Sequence, residues 1–153
     1  MDTRIPRDKA AGLSTEELHL ALINPIRDDV TRGTSGQAVL ARATYFIREV
    51  DNGGLAQAFH NLSLEDIQLA LDSFDQLCAG QHAAIVRLAL TRMLEGEWPL
   101  SDEDMQTRVA ELSGEWIDEN FDELDEQLYD ERQLYPYFER FVGEHPEEFF
   151  LPG

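Results

Sequence analysis

The chain has one cysteine, few basic residues and no long hydrophobic run. A single thiol, Cys78, allows no internal disulfide and suits a reducing compartment. It lies among Leu71, Phe74 and Leu77, which predicts a small buried apolar residue rather than a nucleophile. No stretch approaches the roughly 18 apolar residues of a membrane-spanning helix. Arg4, Arg7 and Lys9 are followed by no apolar segment, so a secretion signal is not expected and the cytoplasm is. Alternation of apolar and polar residues is missing as well, which leaves little for strands.

What is present is acid. The 153 residues hold 31 Asp and Glu against 12 Lys and Arg, for a formal net charge of -19. Such a charge repels nucleic acid and anionic membranes and favours basic partners; plain solubility is the alternative. Residues 95–153 hold 19 of the acids and only 3 arginines. The densest run comprises Glu111, Glu115, Asp118, Glu119, Asp122, Glu123, Asp125, Glu126, Asp130 and Glu131. As one helix it would extend about 31 Å, with a carboxylate every ~3 Å. One DNA strand carries a phosphate every ~3.4 Å. Like charges four residues apart cost a few tenths of a kcal/mol per pair in a helix. The run therefore reads either as a partner-binding surface or as a solvated face over the apolar stripe Trp116, Phe121, Leu124 and Leu128.

The remaining pattern is helical. Residues 1–13 read as a loose arm, and residues 14–153 as one all-α multi-helix domain. Ser14 to Glu17 and Thr34 to Gln37 have capping-box spacing. Pro25 kinks or ends the first helix. Val39, Ala43, Phe46, Ile47 and Val50 form the stripe of the second, which breaks on Asn52-Gly53-Gly54. Either Asn52 or Gly53 would take the left-handed position there. Ser63 opens another helix that Gly80 ends, and residues 81–95 read as the centrally buried helix. Ser101 caps the next, a break is expected at Ser113-Gly114, and His145-Pro146 stops the last helix. Phe149-Phe150 then tucks the tail onto the body.

No catalytic constellation emerges, so no enzyme activity and no cofactor are expected. His19, His60, His82 and His145 fall on separate elements. Glu16 and His19 give a single Glu-x-x-His step, which carboxylate-bridged metal bundles use twice, so His19 is expected at the surface and no metal site is assigned. Gly33-x-x-Gly36 lacks the lysine of a phosphate loop. The Asn-Gly-Gly segment reads as a helix corner; a ligand-contacting loop, with His60, Asp51 or Asn61 nearby, is the alternative.

Residues Val50 to Asn61, VDNGGLAQAFHN, resemble the Asn-Gly-Gly-aromatic-x-Gln-aromatic-Phe-x-Asn signature of the bacterial DMP19-like DNA-mimic protein family. Leu55 and Ala58 stand where that family tends to have aromatics. The Phe141 to Phe149 segment, with His145-Pro146, resembles its C-terminal ending. The resemblance covers about residues 15–150 and implies an all-helical, often dimeric protein. It marks Asn52, Gly53, Gly54, Gln57 and Asn61 as motif positions with a structural role. The DNA-mimic member of that family occupies the DNA-binding surface of a helix-turn-helix regulator; together with the acidic run, this makes the leading expectation a non-catalytic protein that competes with nucleic acid for a basic partner such as a regulator, nucleoid protein or nuclease toxin. A small ligand-binding or enzymatic domain with its site at the corner is the rival expectation.

Overall fold

Five helix starts are set by side chains that accept otherwise unpartnered backbone N–H groups. In the computed structural model, which describes residues 1–153, eight helices follow one another: α1 (Arg7–Ala11), α2 (Thr15–Ile23), α3 (Ser35–Asn61), α4 (Leu64–Gln76), α5 (Gly80–Leu94), α6 (Asp102–Ala110), α7 (Gly114–Leu128) and α8 (Tyr135–Glu144). Both expected capping boxes form: Ser14 with Glu17 on α2, and Thr34 with Gln37 on α3. Ser63, Ser101 and Ser113 accept from the N–H groups of Asp66, Asp104 and Trp116 and open α4, α6 and α7. Each such cap stabilises its helix by about 1 kcal/mol. The protein is all-α; its one bridge of strand type pairs Ile5 with Phe150.

The central helix is α3, not the segment 81–95. It packs against α2, α4, α6 and α7, and buries Val39, Leu40, Ala43, Phe46, Ile47 and Val50. Its alanines let neighbours approach closely, while Phe46 meets Phe74 edge-on and Phe59 meets Phe121 the same way. By contrast α5 keeps a wet side, with Arg87, Leu88 and Arg92 exposed. A high local fraction of Ala and Leu thus marked an amphipathic helix rather than a fully enclosed one.

Gly80 begins α5 instead of ending α4. The stop signal is Cys78, at φ +60°, with its N–H bonded to the Asp75 carbonyl and the Ala79 N–H to the Phe74 carbonyl. Those two bonds make a Schellman closure with a cysteine in the usual glycine position. Cys78 is therefore exposed, not buried.

Both chain ends lie on one side of the body. Ile5 donates to the Phe149 carbonyl and accepts from Leu151, Arg7–Ala11 forms a short helix, and Thr3 bonds Gln37. The first residues, expected as a loose arm, thus carry backbone pairing of their own. Phe149 is fully buried against Phe141, as the tail's aromatic pair suggested.

Candidate functional site

The acidic run does not form one helix. Glu111 is the C-cap of α6, Ser113 restarts the chain, and α7 carries only the residues from Glu115 to Glu126. Asp130 and Glu131 belong to the turn that follows, where Asp130 stands at φ +80°. The continuous helix of about 31 Å is thereby replaced by a shorter one, flanked by acids that point elsewhere.

Within α7 the spacing sorts the carboxylates. Glu115, Asp118, Glu119, Asp122, Glu123 and Glu126 recur at intervals of three and four, which gathers them within an arc of about 140°. All six are exposed. Phe121, Leu124 and Leu128 occupy the opposite side and are buried; Trp116 packs edge-on against Phe121. None of the six has a Lys or Arg partner within 4.0 Å, although nine ion pairs form elsewhere in the protein. They cover about 16 Å of helix axis, again one carboxylate per ~3 Å. Glu111 is also exposed, just beyond the start of α7.

Of the other three acids, Asp125 and Glu131 face the fold and Asp130 pairs locally at the surface. Asp125 is only 6% exposed and accepts the backbone N–H of Leu55 at 2.8 Å. Burial pushes its carboxyl above the ordinary range against the opposing effect of that hydrogen bond. Glu131 holds Arg48 through two contacts, Nε to Oε1 at 3.0 Å and Nη2 to Oε2 at 3.2 Å. Asp130 binds Arg132 at 2.7 Å, and that pairing lowers its pKa; its own N–H donates to Asp51.

Asp125 explains the Asn-Gly-Gly corner. The backbone of α3 leaves helical geometry at Gly53 (φ -160°, ψ 19°) and Gly54 (φ 81°, ψ 179°), then resumes. Gly54, rather than Asn52 or Gly53, takes the positive φ, in a region open essentially to glycine alone. A Cβ there would sit 2.7 Å from Asp125 Oδ2. The bare backbone lets that carboxylate reach in and cap the restarted half of α3 at Leu55. The buried carboxylate from α7 thus performs the service that Ser or Asp usually performs from the N-cap position.

The other motif residues complete the corner. Gln57 Nε2 and Asn61 Nδ2 each donate to Glu49 Oε2 at 3.2 Å, tying the two halves of α3 across the bend. A side chain at Gly53 would collide with the Gln57 amide. Asn52 is exposed. His60 and Asn61 are exposed as well, while Asp51 turns toward Asp130. Asp51 lines a polar hollow of about 210 Å³ with Glu16, Asp130, Glu131, Arg132 and Tyr135, and His60 and Asn61 do not line it.

His19 is a residue that its sequence context misplaced. Expected at the surface, it is 3% exposed, stacked on Phe138 at 4.6 Å, with Nε2 at 3.1 Å from Thr44 Oγ1 and 3.6 Å from Glu131 Oε2. Desolvation outweighs the nearby Glu131 carboxylate and lowers its pKa from 6.5 to about 4. The ring is therefore neutral at neutral pH. Its spacing of three and four from Leu22 and Ile23, both buried, carried the signal. His82 is buried too, beside Phe74 and Tyr137, and desolvation lowers its pKa as well.

With this geometry in view, comparison with known proteins is informative in one respect. Residues 31–145 match the family described as DMP19-like protein. The chain belongs to that family. No curated protein and no solved structure matches it. The matched region contains the whole corner, the six exposed carboxylates of α7, and Asp125 between them. No helix is long and apolar enough to cross a membrane.

Proposed function

We propose that this DMP19-like protein is a non-catalytic binding protein whose α7 acts as a DNA mimic toward a basic DNA-binding protein. One observation carries the reading: six exposed carboxylates share one face of α7 and none has an internal counter-ion. Lone charges on a helix face repel one another, so the fold loses by carrying them. A partner that supplies Arg and Lys turns that loss into binding energy. Carboxylates about 3 Å apart along the axis meet the side chains that a regulator, nucleoid protein or nuclease otherwise places on phosphates. Negative potential steers the encounter, and charge pairing then fixes the register.

Membership of the family supports a role in protein interaction and leaves the partner to experiment. The test is capture from lysate by the immobilised chain, with duplex DNA as competitor. Captured proteins should be basic DNA binders, released by DNA and by salt. The substitutions Glu119→Gln, Asp122→Asn, Glu123→Gln and Glu126→Gln together should abolish capture while preserving the fold. Capture of non-basic partners that resist salt would overturn the reading.

A further inference from the structure

Away from α7, a hollow of about 390 Å³ lies between α3, the start of α4 and residues 27–31, and it is lined by charges of both signs. Its apolar lining is Val30, Phe46, Leu62 and Leu69. Three of its six charged groups are already engaged. Arg27 lies 3.9 Å from Asp28, and Asp29 accepts the N–H and the hydroxyl of Thr31. The other three, Arg42, Glu65 and Asp66, are not. Arg42 has no carboxylate within 4.0 Å, and neither acid has a cation that near, although all three line the same hollow.

Tyr45 is the other unsatisfied group of this lining. Its hydroxyl is buried and has no hydrogen-bond partner in the fold. A buried O–H left unpaired costs stability, so an acceptor from outside the chain is favoured. Burial pushes the phenol pKa up, so at neutral pH the group keeps its proton and can only gain by donating it to a hydrogen bond. Tyr45 stands three residues after Arg42 on α3, the spacing that sets two side chains on one helix face. Together they offer a carboxylate one O–H and a guanidinium. Glu65 and Asp66, in the first turn of α4, offer acceptors to an ammonium group.

The mixture of signs narrows the ligand. A plain anion would meet four carboxylates in the lining, and a plain cation would meet two arginines. We propose that this hollow binds a small zwitterion with an aliphatic side chain, a free amino acid or a dipeptide, its carboxylate on Arg42 and Tyr45 and its ammonium on Glu65 and Asp66. The hollow shares no residue with α7 and does not depend on α7 imitating DNA.

Calorimetric titration with L-leucine and with leucyl-leucine distinguishes the two sources. Leucinamide, which lacks the carboxylate, and isocaproate, which lacks the ammonium, should each bind at least about tenfold more weakly than the preferred zwitterion. Arg42→Gln should weaken that zwitterion by about tenfold or more, and Tyr45→Phe by a smaller factor. Because the Tyr45 hydroxyl has no partner in the fold, Tyr45→Phe should lose affinity without lowering Tm. Converting Glu119, Asp122, Glu123 and Glu126 to their amides should leave zwitterion binding unchanged. The proposal is overturned if neither zwitterion binds at about 10 mM. It is also overturned if leucinamide or isocaproate binds as tightly as the zwitterion, or if Arg42→Gln, with unchanged circular dichroism, binds like the unaltered chain.

Discussion

Two sets of acids from one stretch of chain, residues 111–131, have opposite fates. Asp125 and Glu131 turn inward, where one caps the restarted half of α3 and the other holds Arg48 beside His19. Six on the outer face of α7 meet no cation of their own. The first set is explained by the fold; the second costs the fold stability and calls for an explanation outside it. Composition alone cannot separate them, because an Asp in either set reads the same. What separates them is whether an unpartnered donor from elsewhere in the chain comes within reach.

The contrast can be broken hardest at Gly54. Replacing it with alanine forces a side chain into positive φ and against Asp125 Oδ2, at a cost of about 3 kcal/mol, measured as a lower urea midpoint with unchanged m-value. A loss below about 1 kcal/mol would mean that the corner relaxes easily and does not need its bare backbone.

Next is the His19 end of the inward set. Its pKa lies near 4 when folded, against 6.5 when free. The unfolded chain therefore binds the extra proton between those values, and the stability this neutral ring contributes is lost as pH falls from about 6.5 to about 4. The loss amounts to about 3 kcal/mol, and His19→Phe should flatten that part of the stability profile. Asp125 works in the other direction. Its carboxyl is raised by burial, so in the acid range just above its free value the folded state holds the proton more firmly, and stability from this group grows as pH falls through its folded pKa.

Asp125→Ala comes third, at about 2 kcal/mol, because it strands the buried Leu55 N–H. Asp125→Asn keeps an acceptor oxygen and should lose less; an Ala and Asn pair with equal losses would show that the capping bond is not what stabilises the bend.

The smallest effect belongs to the outer face. Converting Glu119, Asp122, Glu123 and Glu126 to their amides removes like-charge neighbours and should raise stability by a few tenths of a kcal/mol per pair, visible as a small upward shift in Tm that salt diminishes. The sign is the point: inward acids are needed by the fold, outward ones are tolerated by it. A fall in Tm would show that the outer acids also hold the structure together.

Much of the fold was legible because its signals are local. Ser14, Thr34, Ser63 and Ser101 read as caps within four residues of the groups they satisfy, and they perform that role. The break at Ser113-Gly114 was visible for the same reason. Cys78 was not, since a left-handed cysteine closing α4 breaks the rule that glycine does so, and Gly80 two residues later offered the conventional answer. Asp125 lay further out of reach. Its partner, Leu55, is 70 residues away, and helical spacing sets Asp125 at the edge of the apolar stripe without showing what it reaches. The periodicity that places six acids on one face was in the sequence throughout, hidden by reading the run as a single helix.

If α7 takes the place of DNA on its partner, as proposed, the two cannot be bound at once. With a captured DNA-binding partner and a fluorescent duplex that it binds, the chain should displace the duplex in simple competition. No ternary complex should form, and the chain with Glu119, Asp122, Glu123 and Glu126 as amides should displace nothing. A stable ternary complex of chain, partner and duplex, or displacement that survives loss of those four charges, would contradict the claim.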